Sequence, residues 1–181
     1  MNFNFLSPVS DTVLAHNQLL SPLCLGRKIK IHSIQEGIPE LDDIKIVILG
    51  VLENRNDVNY IGEDFNLNEI RKSLYTLFPG SWSTTIADIG DIEKGETVED
   101  TYFALKETLT ILIQKRIIPI VIGGSQDLTY ANYRAYDSLM PMVNIVNVDK
   151  AFDLGDSSKT IKNNSFVGKI ILDQPYNLFN Y

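Results

Sequence analysis

Two nearly continuous apolar runs constrain this chain most: Ile44 to Val51 (IKIVILGV) and Ile117 to Ile122 (IIPIVI). Short runs of this kind, rich in β-branched residues, suit strands buried on both faces of a parallel sheet. Segments with helical periodicity lie around them, so the order alternates strand and helix and implies βαβ units with right-handed crossovers. Ser10 can cap a short helix through Leu20, ended by Ser21-Pro22. Lys28 to Ile34 alternates polar and apolar, as a half-exposed edge strand would. Residues 53–65 read as a polar loop. Asn66 heads a helix with Leu67, Ile70, Leu74 and Leu77 on one face, stopped by Pro79-Gly80. Ser83 to Ile89 reads as a strand that ends in an acidic turn over residues 90–95. Thr97 opens the clearest helix, running to about Arg116, with Glu99 and Asp100 in its first turn and Lys115 and Arg116 in its last. Val98, Tyr102, Leu105, Leu109 and Leu112 form its core stripe. A helix from about Leu128 to Leu139 and a strand from Val143 to Val148 follow, and Phe166 to Leu172 fits either a strand or a short helix. The expected fold is α/β, three-layer α/β/α with a mainly parallel sheet.

With 181 residues and no internal repeat or linker, the chain reads as a single domain over 1–181. Sixteen basic against twenty-three acidic residues leave a net charge of −7, which argues against nucleic acid or anionic membrane as a partner. No run approaches the length of a membrane helix, and Pro8 and Asp11 interrupt the segment where a signal peptide needs unbroken apolar residues. With the lone Cys24, these features read as a cytoplasmic protein. Only His16 and His32 are present, so this chain alone cannot build a His-rich metal centre. Both read as surface or packing residues.

In sheets of this kind ligands bind beyond the carboxyl ends of the strands. Three such ends carry chemistry: Asp88-Ile-Gly-Asp91, Gly123-Gly-Ser-Gln-Asp127 and Asp149-Lys-Ala-Phe-Asp153. Two acids four residues apart just after a strand can converge on a metal, although on spacing alone a turn or helix cap is the plainer reading of Asp149 and Asp153. Gly123 and Gly124 suit a sharp strand-to-helix turn. They lack the third glycine of a dinucleotide fingerprint and the lysine of a phosphate loop, which disfavours a nucleotide-binding module. Ser125 has no Gly-x-Ser-x-Gly frame and no neighbouring histidine to make it a nucleophile.

Taken in order, these segments resemble the ureohydrolase superfamily of arginase, agmatinase and formiminoglutamase. The stretch from Ile86 to Tyr130 is similar to that family's strand ending in Asp-x-Gly-Asp, its helix, and the strand leading to Gly-Gly-Asp-His-Ser. The run Val143 to Gly155 resembles the strand leading to Asp-Ala-His-x-Asp. Ile70-Arg71 falls where the family often carries an Ile-Arg. The likeness is good from about Ser83 to Gly155, so residues 1–43 read as a divergent N-terminal extension and the whole as the first half of an arginase-like domain.

The resemblance implies a binuclear manganese hydrolase that cleaves a guanidino or formimino C–N bond of a small substrate, its metals generating hydroxide from bound water. Carried over residue by residue, the family's Asp-His pair in the first motif falls on Ser125 and Gln126, with Asp127 just beyond. In the second motif the metal-binding aspartates are kept as Asp149 and Asp153, the histidine between them is Ala151, and Lys150 brings a positive charge. Gly123, Gly124, Ser125, Asp127 and Lys150 would line the site. A glutamine is a weaker ligand than imidazole for a first-row metal and an alanine is none. The expectation is therefore a family member impaired in catalysis and lacking its manganese. The alternative is a non-catalytic α/β scaffold or binding protein of the same fold. An unfinished sheet also leaves an edge strand to cover, which makes a homo-oligomer an expected assembly.

Overall fold

Both apolar runs become strands of one sheet. A computed structural model of the chain describes residues 3, 5–62, 66–140, 142–156, 158–173 and 177–181. Among the described residues the elements are β1 (Leu6–Ser7), α1 (Asp11–Gln18), β2 (Lys30–Ile31), β3 (Ile46–Val51), α2 (Leu67–Tyr75), β4 (Ile86–Ile92), α3 (Val98–Gln114), β5 (Ile118–Ile122), α4 (Leu128–Asp137), β6 (Val143–Asn144), α5 (Phe166–Leu172) and β7 (Leu178–Asn180). The fold is mixed α/β with a mainly parallel sheet. No helix among the described residues is long and apolar enough to cross a membrane.

Contacts divide the chain into two compact units. The first comprises Met1–Leu52, Phe65–Glu93 and Lys115–Gly123, and the second Glu53–Asp64, Lys94–Gln114 and Gly124–Tyr181.

The first unit holds the sheet. β3 pairs in parallel with β4 on one side and with β5 on the other, while β2, in parallel, and β1, antiparallel, take β4's remaining edge. Crossover helix α2 connects β3 to β4. Val9 and Val13 pack with Tyr75 of α2 to close a small apolar cluster beside α1.

β4 departs from the expected strand in an informative way. It runs through Asp88-Ile-Gly-Asp91 rather than ending before it. The register passes from Ile48↔Asp88 to Gly50↔Asp91, so β4 carries one extra residue, a β-bulge. Gly90 accommodates it at φ +89°, where a side chain would also strike the Ser7 carbonyl. Residues three apart in a regular strand face opposite sides, and the bulge brings Asp88 and Asp91 to the same one.

Helix α2 buries a different stripe from the apolar one expected. Leu67, Arg71 and Tyr75 point inward at i, i+4 and i+8, whereas Ile70 and Leu77 are exposed. A fully paired arginine outcompetes two apolar residues for the inner face.

β5 is not buried on both faces. Ile118 is 62% and Ile120 45% exposed, on one face of the strand, and β5 has β3 as its one sheet neighbour among the described residues. The Lys28 to Ile34 strand shortens to Lys30–Ile31, although His32 N–H extends the pairing to the Asp88 carbonyl at 2.8 Å.

In the second unit, α3 begins with Thr97 and Asp100 bonding each other's backbone and side chains, a cap that the sequence signals through Thr-x-x-Asp. It buries Tyr102, Leu105, Leu109 and Leu112 as expected, together with Thr101, Ala104 and Thr108. The undecided segment 166–172 is helix α5, whose Phe166, Val167 and Ile170 share a cluster with Tyr133 of α4 and Val143. The strand expected over Val143 to Val148 is only two residues long. It pairs with β7 in a separate small sheet, β7 supplies partners only to Asn180, and Val146 lies 91% exposed.

Candidate functional site

Asp88 and Asp91 sit in the first unit as partners of one buried arginine. Arg71, 1% exposed, donates from Nε and Nη2 to the two Asp88 oxygens at 2.8 and 3.1 Å, and from Nη1 to Asp91 at 2.7 Å. Nη2 also reaches the Gly90 carbonyl at 3.0 Å, and Tyr75 O–H donates to Asp88 at 2.9 Å. Burial pushes the Asp91 carboxyl up and Arg71 pulls it back down, leaving it above its ordinary value. Burial lowers the guanidinium's affinity for its proton, but its two acid partners more than offset that. These acids are committed to a structural ion cluster. The Ile70-Arg71 dipeptide was the signal for it, since the bulge aims both acids at that arginine.

Neither histidine approaches a metal-site arrangement. His32 is buried with Nδ1 2.9 Å from the Ile89 carbonyl, and His16 sits on α1 with Nε2 buried and unpartnered. Gly123, at φ +80°, ends β5 where a side chain would meet Leu67.

The remaining candidates lie in the second unit. Gly124 takes φ +74°, and a Cβ there would fall 1.9 Å from Leu128, so the turn into α4 requires glycine. Ser125 N–H donates to the Glu53 carbonyl at 2.8 Å. The Ser125 hydroxyl donates to one oxygen of Asp127, and the Tyr102 hydroxyl from α3 donates to the other. Asp127 thus stands at the start of α4 without capping it through its side chain. Burial raises its carboxyl above the ordinary value, against the pull of these two hydroxyls.

Gln126 reaches across to the second motif, where its amide Nε2 donates to Asp149 Oδ2. The other Asp149 oxygen accepts the Lys150 N–H. These bonds hold the Asp149 carboxyl below its usual range. Asp153 is 8% exposed and at φ +49°; burial first, and then the neighbouring Asp149 carboxylate, raises its carboxyl. Its Oδ2 is buried without a partner. Ala151 and the Lys150 side chain are exposed. The structure therefore brings Gln126, Asp149 and Asp153 together, pairs Ser125 with Asp127, and leaves Ala151 contributing no donor atom.

The polar loop holds residues that sequence reading missed. Glu53 is fully buried, with an Arg55 ion pair at 2.6 Å and a Thr101 hydroxyl at 2.9 Å. Burial would raise its carboxyl, but these partners bring it below the ordinary value. Arg55 also donates to the Gly95 and Glu96 carbonyls at 3.0 Å each. Asn56 donates to the Tyr102 hydroxyl at 3.2 Å. A polar loop directly after a buried strand was the available signal, because its first side chains inherit that strand's burial.

A mainly parallel α/β sheet whose Gly-Gly turn leads into a helix, followed by an Asp-x-x-x-Asp loop, defines the class. The chain belongs to the arginase family, whose model matches residues 44–173. It is 31% identical over 93 residues to the formimidoylglutamase of Macrococcus caseolyticus (strain JCSC5402), covering 50% of this chain and 29% of that protein. In fold it is similar to Trypanosoma cruzi formiminoglutamase with Mn2+ (TM-score 0.67, 20% identity, 78% of this chain and 53% of that one). It is similarly close to the formimidoylglutamase of Bacillus subtilis subsp. subtilis str. 168 (TM-score 0.65, 18% identity, 80% and 49%). The chain thus spans under a third of the curated relative and about half of these two structures.

The donor set here does not fit the metal pair that the family implies. Among the described residues no three His, Cys, Asp or Glu side chains gather as a metal site. Gln126 presents an N–H donor to Asp149 in place of a lone pair, and Ala151 has no donor atom to offer. Turning the amide over would set its oxygen against a carboxylate, so the donor orientation is the favourable one.

Proposed function

We propose that this chain is a formiminoglutamase-like member of the arginase family that keeps the scaffold but is impaired as a metal-dependent hydrolase. The observation that carries the reading is the Gln126–Asp149 hydrogen bond, a neutral amide standing where a metal-binding histidine belongs. Hydrolysis of a guanidino or formimino C–N bond needs a metal-generated hydroxide, and a dication is held by lone pairs rather than N–H donors. We place the protein in the cytoplasm, with no nucleic-acid or membrane partner, and with self-association as the assembly to test. The experiment is metal analysis after manganese loading, combined with assays for urea and formamide release from guanidino and formimino substrates. The scaffold reading expects neither bound manganese nor product. About two ions per chain together with turnover would overturn it.

One observation favours the hydrolase reading, in which this chain supplies part of a competent centre. Asp153 keeps a buried carboxylate oxygen without a partner, as a ligand awaiting a cation would. In the same assay, product release that is abolished by Asp153→Asn would support it.

A further inference from the structure

Resting on the scaffold reading above, we infer that Ser125-Gln126-Asp127 is a metal-free clasp, in which direct hydrogen bonds hold the first turn of α4 and the 149–153 loop where the family's motifs would meet a metal.

Three consecutive side chains each have a protein partner. Ser125 bonds Asp127, Asp127 also takes the Tyr102 hydroxyl from α3, and Gln126 bonds Asp149. Compared with Gly-Gly-Asp-His-Ser, the acid and the hydroxyl have exchanged places, and in that exchanged order they bond each other across the intervening residue. The network continues through Asn56, which donates to Tyr102 at 3.2 Å and accepts from Lys162 at 3.4 Å. Asp127 is fully buried, so its two hydroxyl donors replace water it has lost and tie the carboxylate to Ser125 and to α3. Gln126 is exposed, and its bond reports on the loop directly, because Asp149 in turn accepts the Lys150 amide proton. Each oxygen of Asp127 and Asp149 accepts a hydrogen bond from the protein itself, so the turn and the loop are held without an ion.

The test is amide hydrogen exchange on the whole chain, as wild type, Gln126→Ala and Asp127→Asn, each with excess Mn2+ or with EDTA. The clasp predicts wild-type exchange over 149–154 that is the same in both solutions. It predicts roughly fivefold faster exchange there in Gln126→Ala, the loss of one modest hydrogen bond, with β3 and β4 unchanged. Asp127→Asn should speed exchange in the first turn of α4. Should that variant not fold, Gln126→Ala still decides, since trimming an exposed side chain opens no cavity. Unchanged exchange in Gln126→Ala, with wild type still indifferent to Mn2+, overturns the clasp and leaves the scaffold reading standing. Wild-type protection that rises with Mn2+ overturns both.

Discussion

Asp88 and Asp91 in the first unit, and Asp149 and Asp153 in the second, look alike in the sequence: two acids a few residues apart, after an apolar run. Asp88 and Asp91 share a guanidinium with 1% exposure. Asp149 lies exposed and is matched by a neutral amide and a backbone N–H, while Asp153 beside it keeps one buried oxygen unpaired. The partner, rather than the spacing, decides what an acid pair does. A cation of the chain's own makes one pair structural. The other pair has a neutral amide and a backbone N–H as its partners and no cation of the chain's own.

The comparison is broken most severely at Arg71. Arg71→Ala would leave buried acids uncompensated and should destabilise the fold by about 3–5 kcal/mol in urea unfolding. Arg71→Lys should recover only part of this, because an ammonium cannot span both carboxylates as the fork does. Asp127→Ala should cost about 1–3 kcal/mol by the same measurement, since Ser125 and Tyr102 would lose a buried acceptor.

A smaller effect is written in pH. The Asp127 carboxyl lies above its ordinary 3.8, so the native state holds its proton after the unfolded chain has released it, and stability falls as pH rises through that window. Asp127→Asn should flatten this fall, leaving the part due to Asp91 and Asp153, which are shifted the same way. Glu53 has the opposite sign: its carboxyl lies below 4.5, and the stability it contributes is lost as pH drops through its folded value. Glu53→Gln should remove that acid-side loss. Urea titrations across pH 3–7, on the order of the ordinary carboxyl range, separate the two. The smallest change is Gln126→Ala, which should cost less than about 1 kcal/mol because its hydrogen bond is solvent-exposed. A loss as large as that of Arg71→Ala would erase the contrast between the two pairs.

The sheet's central strands, the long helix and the sharp Gly-Gly turn were legible because hydrophobic period and glycine conformation are local properties. The acid pair on β4 was misplaced because a bulge is invisible to strand periodicity: Gly90 looked like the end of a strand when it was the residue that turned Asp91 toward Arg71. Arg71 itself broke the apolar stripe expected for α2, since burial of a charge depends on partners distant in sequence. Val143 to Val148 read as a strand from composition, but a ladder needs a neighbour, and the paired residues stop at Asn144. At the candidate site, the Asp149 and Asp153 spacing and the neighbouring Gln126 and Ala151 were plain from the sequence. That Ser125 and Asp127 bond each other, with Tyr102 reaching in from another helix, required the three-dimensional fold.

In the proposed function, residues 126 and 151 decide metal binding. Calorimetric titration with Mn2+ tests it most directly, comparing wild type with the double variant Gln126→His plus Ala151→His. The expected result is no saturable uptake by the wild type and a new site in the double variant, where two imidazoles join Asp149 and Asp153. Saturable wild-type binding, unchanged by the two substitutions, would contradict it.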